Sequence, residues 1–209
     1  DSGLFTMMFG AKKGTPISEQ FIIDWQNDYA DTINMAGYKH SIVECDVQKI
    51  LSPEFAWEMR RKFKTQVKVP IINVYHLEDK SPDKLIEYSD YIAVSVPELR
   101  FNVSRKERHF ITSYISRKAS LKNKRVHLLG CTGREEMKEF SFCYSCDSTS
   151  WISGSKYNNH QADFYPKMSI ELMRKNKIEN VTLSKSGLSA YYSAITKLED
   201  YRKYAGDQS

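Results

Sequence analysis

The sequence predicts an α/β protein on a parallel sheet that approaches a closed (β/α)8 barrel. Three observations carry the prediction. Short β-branched and aromatic runs alternate with helical segments along the chain, the runs are nearly continuous in apolar residues, and helix starts are marked repeatedly by a hydroxyl residue before proline. Unbroken apolar runs joined by helices belong to strands buried on both faces, which is the parallel case.

Taken in order, Thr15-Pro16 announces the first helix, because a hydroxyl can cap the open N–H groups and proline's fixed φ suits the first turn. Phe21, Trp25, Tyr29 and Ile33 then recur every four residues, and Gly37 is placed to end that helix. Strands are predicted at Ser41–Glu44, Val69–Tyr75, Tyr91–Val96, Arg125–Leu129 and Phe142–Cys146, with a weaker one at Asn180–Leu183. Ser52-Pro53 and Ser81-Pro82 open helices between them, and Thr132-Gly133-Arg134-Glu135 is a capping box before the fifth strand. A last helix is predicted over Leu188–Tyr204, with Leu188, Tyr191, Tyr192, Ile195 and Leu198 on one side. Six strands, with one more expected before Asp1, approach the eight of a TIM-type barrel, and residues 1–209 read as a single domain.

Composition bounds the function. A chain of 209 residues with 41% hydrophobic content can bury one core. No stretch approaches the roughly 20 apolar residues of a membrane span, so a soluble, cytoplasmic protein is expected. The four cysteines, Cys45, Cys131, Cys143 and Cys146, are too unevenly spaced for a secreted disulfide framework and read as reduced thiols. Cys143 and Cys146 form a CxxC, but no second Cys/His pair follows at ribbon spacing, so no metal is expected. The net charge of +5 is concentrated. Arg100, Arg105, Lys106, Arg108, Arg117, Lys118, Lys122, Lys124 and Arg125 lie in one segment whose sole acid is Glu107. With Phe101, His109, Phe110 and Tyr114 interleaved, the segment suits a phosphate backbone, and it also reads as a solvated helix face.

In α/β barrels the working side chains sit at the carboxyl ends of the strands, and those positions are polar here. The strands deliver Asp46, then Asn73 and His76, then Ser95 and Glu98, then Gly130-Cys131-Thr132, then Asp147. Asp1 would join them if a strand precedes it. Carboxylates that converge divide into nucleophilic and acid/base roles, a pattern that belongs to glycosyl transfer. His76 could donate to a base or a phosphate, but a lone histidine at a strand end is more often a hydrogen-bonded structural residue. Cys131 and Cys146 flank the same region and read as packing residues, since Asp147 disfavours a neighbouring thiolate.

These segments resemble the guanine transglycosylases, the family of tRNA enzymes and of phage and bacterial relatives that place 7-deazaguanines in DNA. Asp1-Ser2-Gly3-Leu4-Phe5 is similar to the family's proton-handling segment. His127-Leu128-Leu129-Gly130-Cys131-Thr132-Gly133-Arg134-Glu135-Glu136, followed by Tyr144-Ser145-Cys146-Asp147-Ser148, resembles the stretch that ends in the nucleophilic aspartate. Val43-Glu44-Cys45-Asp46 looks like the segment that reads the base, and Pro70-Ile71-Ile72-Asn73-Val74 like the strand that carries a base-binding glutamine, with Asn73 in its place. The resemblance covers about the first 150 residues. It implies Asp147 as nucleophile and Asp1 as proton shuttle. It also implies a base pocket at Asp46, Asn73, Ser95, Glu98 and Gly130, which His76 joins by its place at a strand end, and the clustered charge and nearby aromatics suggest nucleic-acid contacts at Arg100, Arg105, Lys106, Arg108, Trp151 and Lys156. The implied partners are DNA or tRNA and a 7-deazaguanine base such as preQ0, with no cofactor and with homodimerisation as in many relatives. A phage-encoded chain would work in the host cytoplasm.

Departures from the family narrow the substrate. No cysteine follows Cys146, so the zinc subdomain of the tRNA enzymes is not expected, and Ser148–Gly154 lacks the arginines that hold an anticodon loop. Leu4 and Thr6 replace a glycine and a glutamine of the first motif. These features favour exchange of guanine in DNA, with tRNA as the alternative. A non-catalytic nucleic-acid-binding subunit and a glycosidase on free sugars are the other readings, and the glycosidase has no use for the basic segment.

Overall fold

The computed structural model describes residues 17–48, 51–131, 134–147 and 165–178, together with Thr182, Gly187, Leu188, Tyr191, Tyr192 and Ile195. Helix α1, Glu19–Met35, starts at Ser18, whose hydroxyl accepts from the Phe21 N–H at 3.2 Å. Thr15 and Pro16, the expected start, lie outside the described residues. Gly37 ends the helix as expected, at φ +60, where the Tyr38 N–H closes on the Ile33 carbonyl at 3.2 Å.

The next elements follow the predicted alternation. Strand β1 is Ile42–Val43, α2 is Pro53–Gln66 with Ser52 as its cap, and β2 is Ile71–Tyr75. A 3-10 turn over Leu77–Asp79 leads to α3, Pro82–Tyr88, which has proline in its first turn but no side-chain cap bond from Ser81. Strand β3, Tyr91–Ser95, runs directly into α4, Val96–Asn102, because Pro97 can begin a helix but cannot continue a ladder. Helix α5, Arg105–Leu121, opens on a reciprocal cap between Ser104 and Glu107. Strand β4 is Arg125–Leu129, α6 Arg134–Glu139, β5 Ser145–Cys146 and α7 Tyr165–Lys175. The capping box at Thr132-Gly133 and most of the predicted sixth strand and last helix lie outside the described residues. Leu188, Tyr191, Tyr192 and Ile195 are helical.

The strands form one sheet in the order β1-β2-β3-β4-β5, and β1 through β4 pair in parallel. Strictly sequential order with intervening helices is the winding of successive β-α-β units without a reversal. The chain is therefore mixed α/β, with a five-stranded sheet among the described residues. No helix among them is long and apolar enough to cross a membrane.

The chain divides into two compact units. One comprises residues 1–129 with 143–145, the other 130–142 with 146–209. In the first, register fixes which side chains share a face, because directly paired residues project to the same side. Val43, Ile72, Val74, Tyr91, Ala93 and Leu129 form one cluster on one face. Ile42 and Ile71 take the other, packing with Ala30 and Ile33 of α1 and Phe63 of α2. In the second unit Cys131, Met137, Phe140 and Met173 are buried.

A buried cation ties the helix-covered face together. Arg60 of α2, 2% exposed, donates from Nε to both Glu44 oxygens at 2.9 and 3.0 Å, from Nη1 to Asp79 at 2.8 Å, and from Nη2 to the Val74 carbonyl at 2.6 Å. Glu44 also accepts from the Val74 N–H at 2.8 Å and from Asn73 Nδ2 at 2.6 Å. Burial opposes the charge, but Glu44 and Asp79 outweigh it, so Arg60 stays protonated even more firmly than a free arginine. Removing one member strands buried carboxylates. Arg60→Met is expected to cost about 3–5 kcal/mol of unfolding free energy by urea titration. Lys122→Met, which breaks an exposed pair with Glu87, should leave the midpoint nearly unchanged.

Candidate functional site

At the carboxyl ends of β1, β2 and β3 three polar side chains meet. Asp46 follows β1, His76 follows β2 at the head of the 3-10 turn, and Glu98 stands in the first turn of α4. His76 Nε2 lies 3.2 Å from Asp46 Oδ2, and Nδ1 lies 2.6 Å from Glu98 Oε2. The His76 and Glu98 side chains are 8% and 7% exposed, whereas Asp46 is 27% exposed and open to a ligand. The His76 backbone is fixed as well, its N–H donating to Asp79 Oδ2 at 3.1 Å.

Two carboxylates flank one imidazole, and that decides its charge. Burial alone would strip the proton, but Asp46 and Glu98 outweigh burial and the His76 pKa is pushed up to about 9. His76 is thus an imidazolium at neutral pH, with Nε2 hydrogen-bonded to Asp46 and Nδ1 held against Glu98 as an ion pair whose angles fall outside hydrogen-bond geometry. His76, Glu78 and Glu98 also place ligand-type atoms within 4.8 Å of one another, the bare requirement for a cation site. The 2.6 Å approach of Nδ1 to Glu98 matches a charge-assisted ion pair without one.

A second polar group lines the far end of the sheet. Ser145 Oγ lies 2.5 Å from the Tyr91 hydroxyl and 2.6 Å from His127 Nδ1. The Arg125 guanidinium stacks over the Tyr91 and Tyr144 rings at 4.9 and 5.4 Å. In the other unit Asp147 directly follows β5, and its Oδ1 accepts from the Gly130 N–H at 2.9 Å. Gly130 holds φ +62, a conformation that glycine adopts without strain.

The expected site residues separate accordingly. Asp46, His76 and Glu98 are brought together, and Asp147 is joined to Gly130. Asn73 is directed to the helix-covered face, where its amide donates to Glu44, so it braces the Arg60 network. Both ring nitrogens of His76 are engaged by carboxylates, which leaves that side chain as a support for Asp46. Ser95 is the half-buried junction between β3 and α4. Asp1, Trp151 and Lys156 lie outside the described residues. Cys45 and Cys131 are buried, and none of Cys45, Cys131, Cys143 and Cys146 forms a disulfide among the described residues. Partial desolvation, then the neighbouring Asp147, push the Cys146 thiol up, away from nucleophilic character at neutral pH.

The basic segment is split by its surroundings. Lys118, Lys122 and Lys124, near the end of α5, pair with Asp83, Glu87 and Asp90. Arg100, Arg105 and Lys106 are exposed at the opposite end, where the chain leaves the carboxyl edge of β3, and Arg108 is half-buried. Phe101 and Phe110 are 86% and 68% exposed.

Arg60, Glu78 and Asp79 are residues of consequence that were not singled out from the sequence. Arg60 carried a signal, a charge inside the buried stripe Ala56, Met59, Phe63. Glu78 carried none, since the turn that places it has no apolar periodicity. Fold and geometry together define an α/β protein with a carboxylate–imidazolium–carboxylate line at the carboxyl ends of parallel strands. No protein-family model matches the chain, and neither the curated proteins nor the solved structures contain a match to it.

The raised pKa of His76 makes stability depend on pH. Its contribution is complete below about pH 6.5, the ordinary histidine value, and is lost as pH rises through about 9. The shift corresponds to on the order of 3 kcal/mol. Urea midpoints of the wild type should therefore fall across that window, and His76→Gln should flatten the fall.

Proposed function

We propose that the chain is a guanine transglycosylase that exchanges guanine in DNA for a 7-deazaguanine base, and that its strands belong to a (β/α)8 barrel. The observation that supports this reading is that Asp46 and Asp147 each stand just past the end of their own strand, each carboxylate already held by a donor. The sequence resemblance assigns the same two residues as base reader and nucleophile.

The proposed chemistry is a double displacement with retention. The Asp147 carboxylate attacks C1′ as the C1′–N9 bond breaks, and the departing guanine takes a proton from Asp1. The incoming base then returns a proton to Asp1 and its ring nitrogen displaces Asp147. The Gly130 N–H fixes the orientation of the attacking group. Guanine and 7-deazaguanines present N1–H and N2–H side by side, and a carboxylate accepts both. The bond from His76 uses one lone pair of Asp46 and leaves capacity for both donors. Residues 148–154 contain no arginine, which favours DNA over an anticodon loop. The target base leaves its stack to react, and Arg100, Arg105 and Lys106 with Phe101 suit the displaced strand.

The test is incorporation of labelled preQ0 or guanine into double-stranded DNA, single-stranded DNA and tRNA. Label should enter DNA, and Asp147→Ala should reduce entry at least about a thousand-fold. Entry into tRNA alone would assign the tRNA reaction instead, and no entry from folded protein would overturn the catalytic reading. Arg105→Glu should weaken DNA binding and lower its salt slope by roughly one per lost phosphate contact. Lys122→Glu, at a site already paired with Glu87, should do much less.

A further inference from the structure

Resting on the base-exchange reading and deepening it, we infer that His76 is the specificity-setting positioning residue of the site. It clamps Asp46 against Glu98, so that the base-reading carboxylate accepts only bases with two adjacent N–H donors. His76 touches no base itself. Its Nε2 is committed to Asp46 at 3.2 Å and its Nδ1 to Glu98 at 2.6 Å.

The clamp spans three elements. Asp46 comes from the loop after β1, His76 from the end of β2, and Glu98 from α4 beyond β3. Asp46 is the most exposed of the three and would otherwise be free to swing into solvent. A swinging carboxylate can turn to water when a base lacks one donor, and so loses little. A clamped one keeps an unmet acceptor, which penalises hypoxanthine, lacking the 2-amino group, and adenine, lacking the N1 proton.

The clamp needs a proton on each ring nitrogen, so it is charge-dependent. The groups around His76 are Asp46 and Glu98 on its ring, Glu78 and Asp79 from the 3-10 turn, Tyr75 beside it, and Arg60, which is held on Asp79. Acids outnumber cations there, and His76 keeps its proton up to about pH 9. Above that point Nδ1 becomes a bare acceptor facing the Glu98 carboxylate, and the clamp opens. Glu98→Gln keeps the shape and removes one of the two charges that hold the proton.

The experiment follows guanine and hypoxanthine binding by the full chain across pH 6–10.5, together with NMR titration of the His76 ring. In the wild type, guanine should bind roughly ten-fold or more tightly than hypoxanthine. That preference should decline along the His76 titration curve. Glu98→Gln should move both the titration and the decline to lower pH by about one unit. His76→Gln should abolish the pH dependence and most of the preference, with a native circular dichroism spectrum confirming its fold. A decline that stays in place in Glu98→Gln, or a preference retained in His76→Gln, would overturn the inference. Wild-type protein that binds no guanine while His76 still titrates near 9 would instead overturn the base-exchange reading, and the specificity role with it.

Discussion

The site depends on a guanidinium that never meets water. Arg60 is held by Glu44, Asp79 and the Val74 carbonyl, and each of those contacts positions something that the proposed chemistry uses. Glu44 lies two residues before Asp46, so anchoring it fixes where the chain leaves β1. Asp79 accepts from both Arg60 and the His76 N–H, so it sets the turn that presents the imidazole. Gln48 adds a further donor to Asp79 at 3.3 Å. Buried ion pairs are weak evidence of stability gained, because desolvation offsets attraction. Here the pairing serves to fix geometry, since it links α2, β1, β2 and the 3-10 turn through directional bonds.

Charge is sorted along the molecule in a way that suits two different parts of one ligand. Around the ends of β1–β3, Glu44, Asp46, Glu78, Asp79 and Glu98 face the cations Arg60 and His76 among the described residues. Such a place repels phosphate and favours a neutral group rich in N–H donors. The exposed Arg100, Arg105 and Lys106 follow along the same edge, between the end of β3 and the first turn of α5. Three of the lysines further along α5 and beyond it are already answered by acids. On the proposed reading the base goes to the acidic strand ends and the backbone to the start of α5.

Much of the fold was legible in the sequence because its signals are local. Caps at Ser52 and the stop at Gly37 depend on one hydroxyl and one positive φ, and four-residue spacing in α1 needs no tertiary context. Strands β2, β3 and β4 were located to within two residues at either end. What escaped depends on partners distant in the chain. The role of Arg60 depends on Glu44 and Asp79, which lie sixteen and nineteen positions away.

The contrast between Asn73 and His76 shows how parity, more than residue type, selects a site. Both are polar and both lie at or near the end of β2, so either could carry a base-binding role. Strand side chains alternate, and β2 pairs Asn73 with Ile92 and Val74 with Ala93. Val74 and Ala93 share the face away from the α1–α2 cluster, so Asn73 must take the other, where Glu44 receives it. His76 lies just past the last paired residue, Tyr75, and the turn that begins there frees its ring from the alternation. It can then reach Asp46 across the end of β1 and Glu98 across the end of β3, which no side chain within the ladder could do at once. A strand that ran one residue longer would keep the histidine in the ladder, and the line between the two carboxylates would not form.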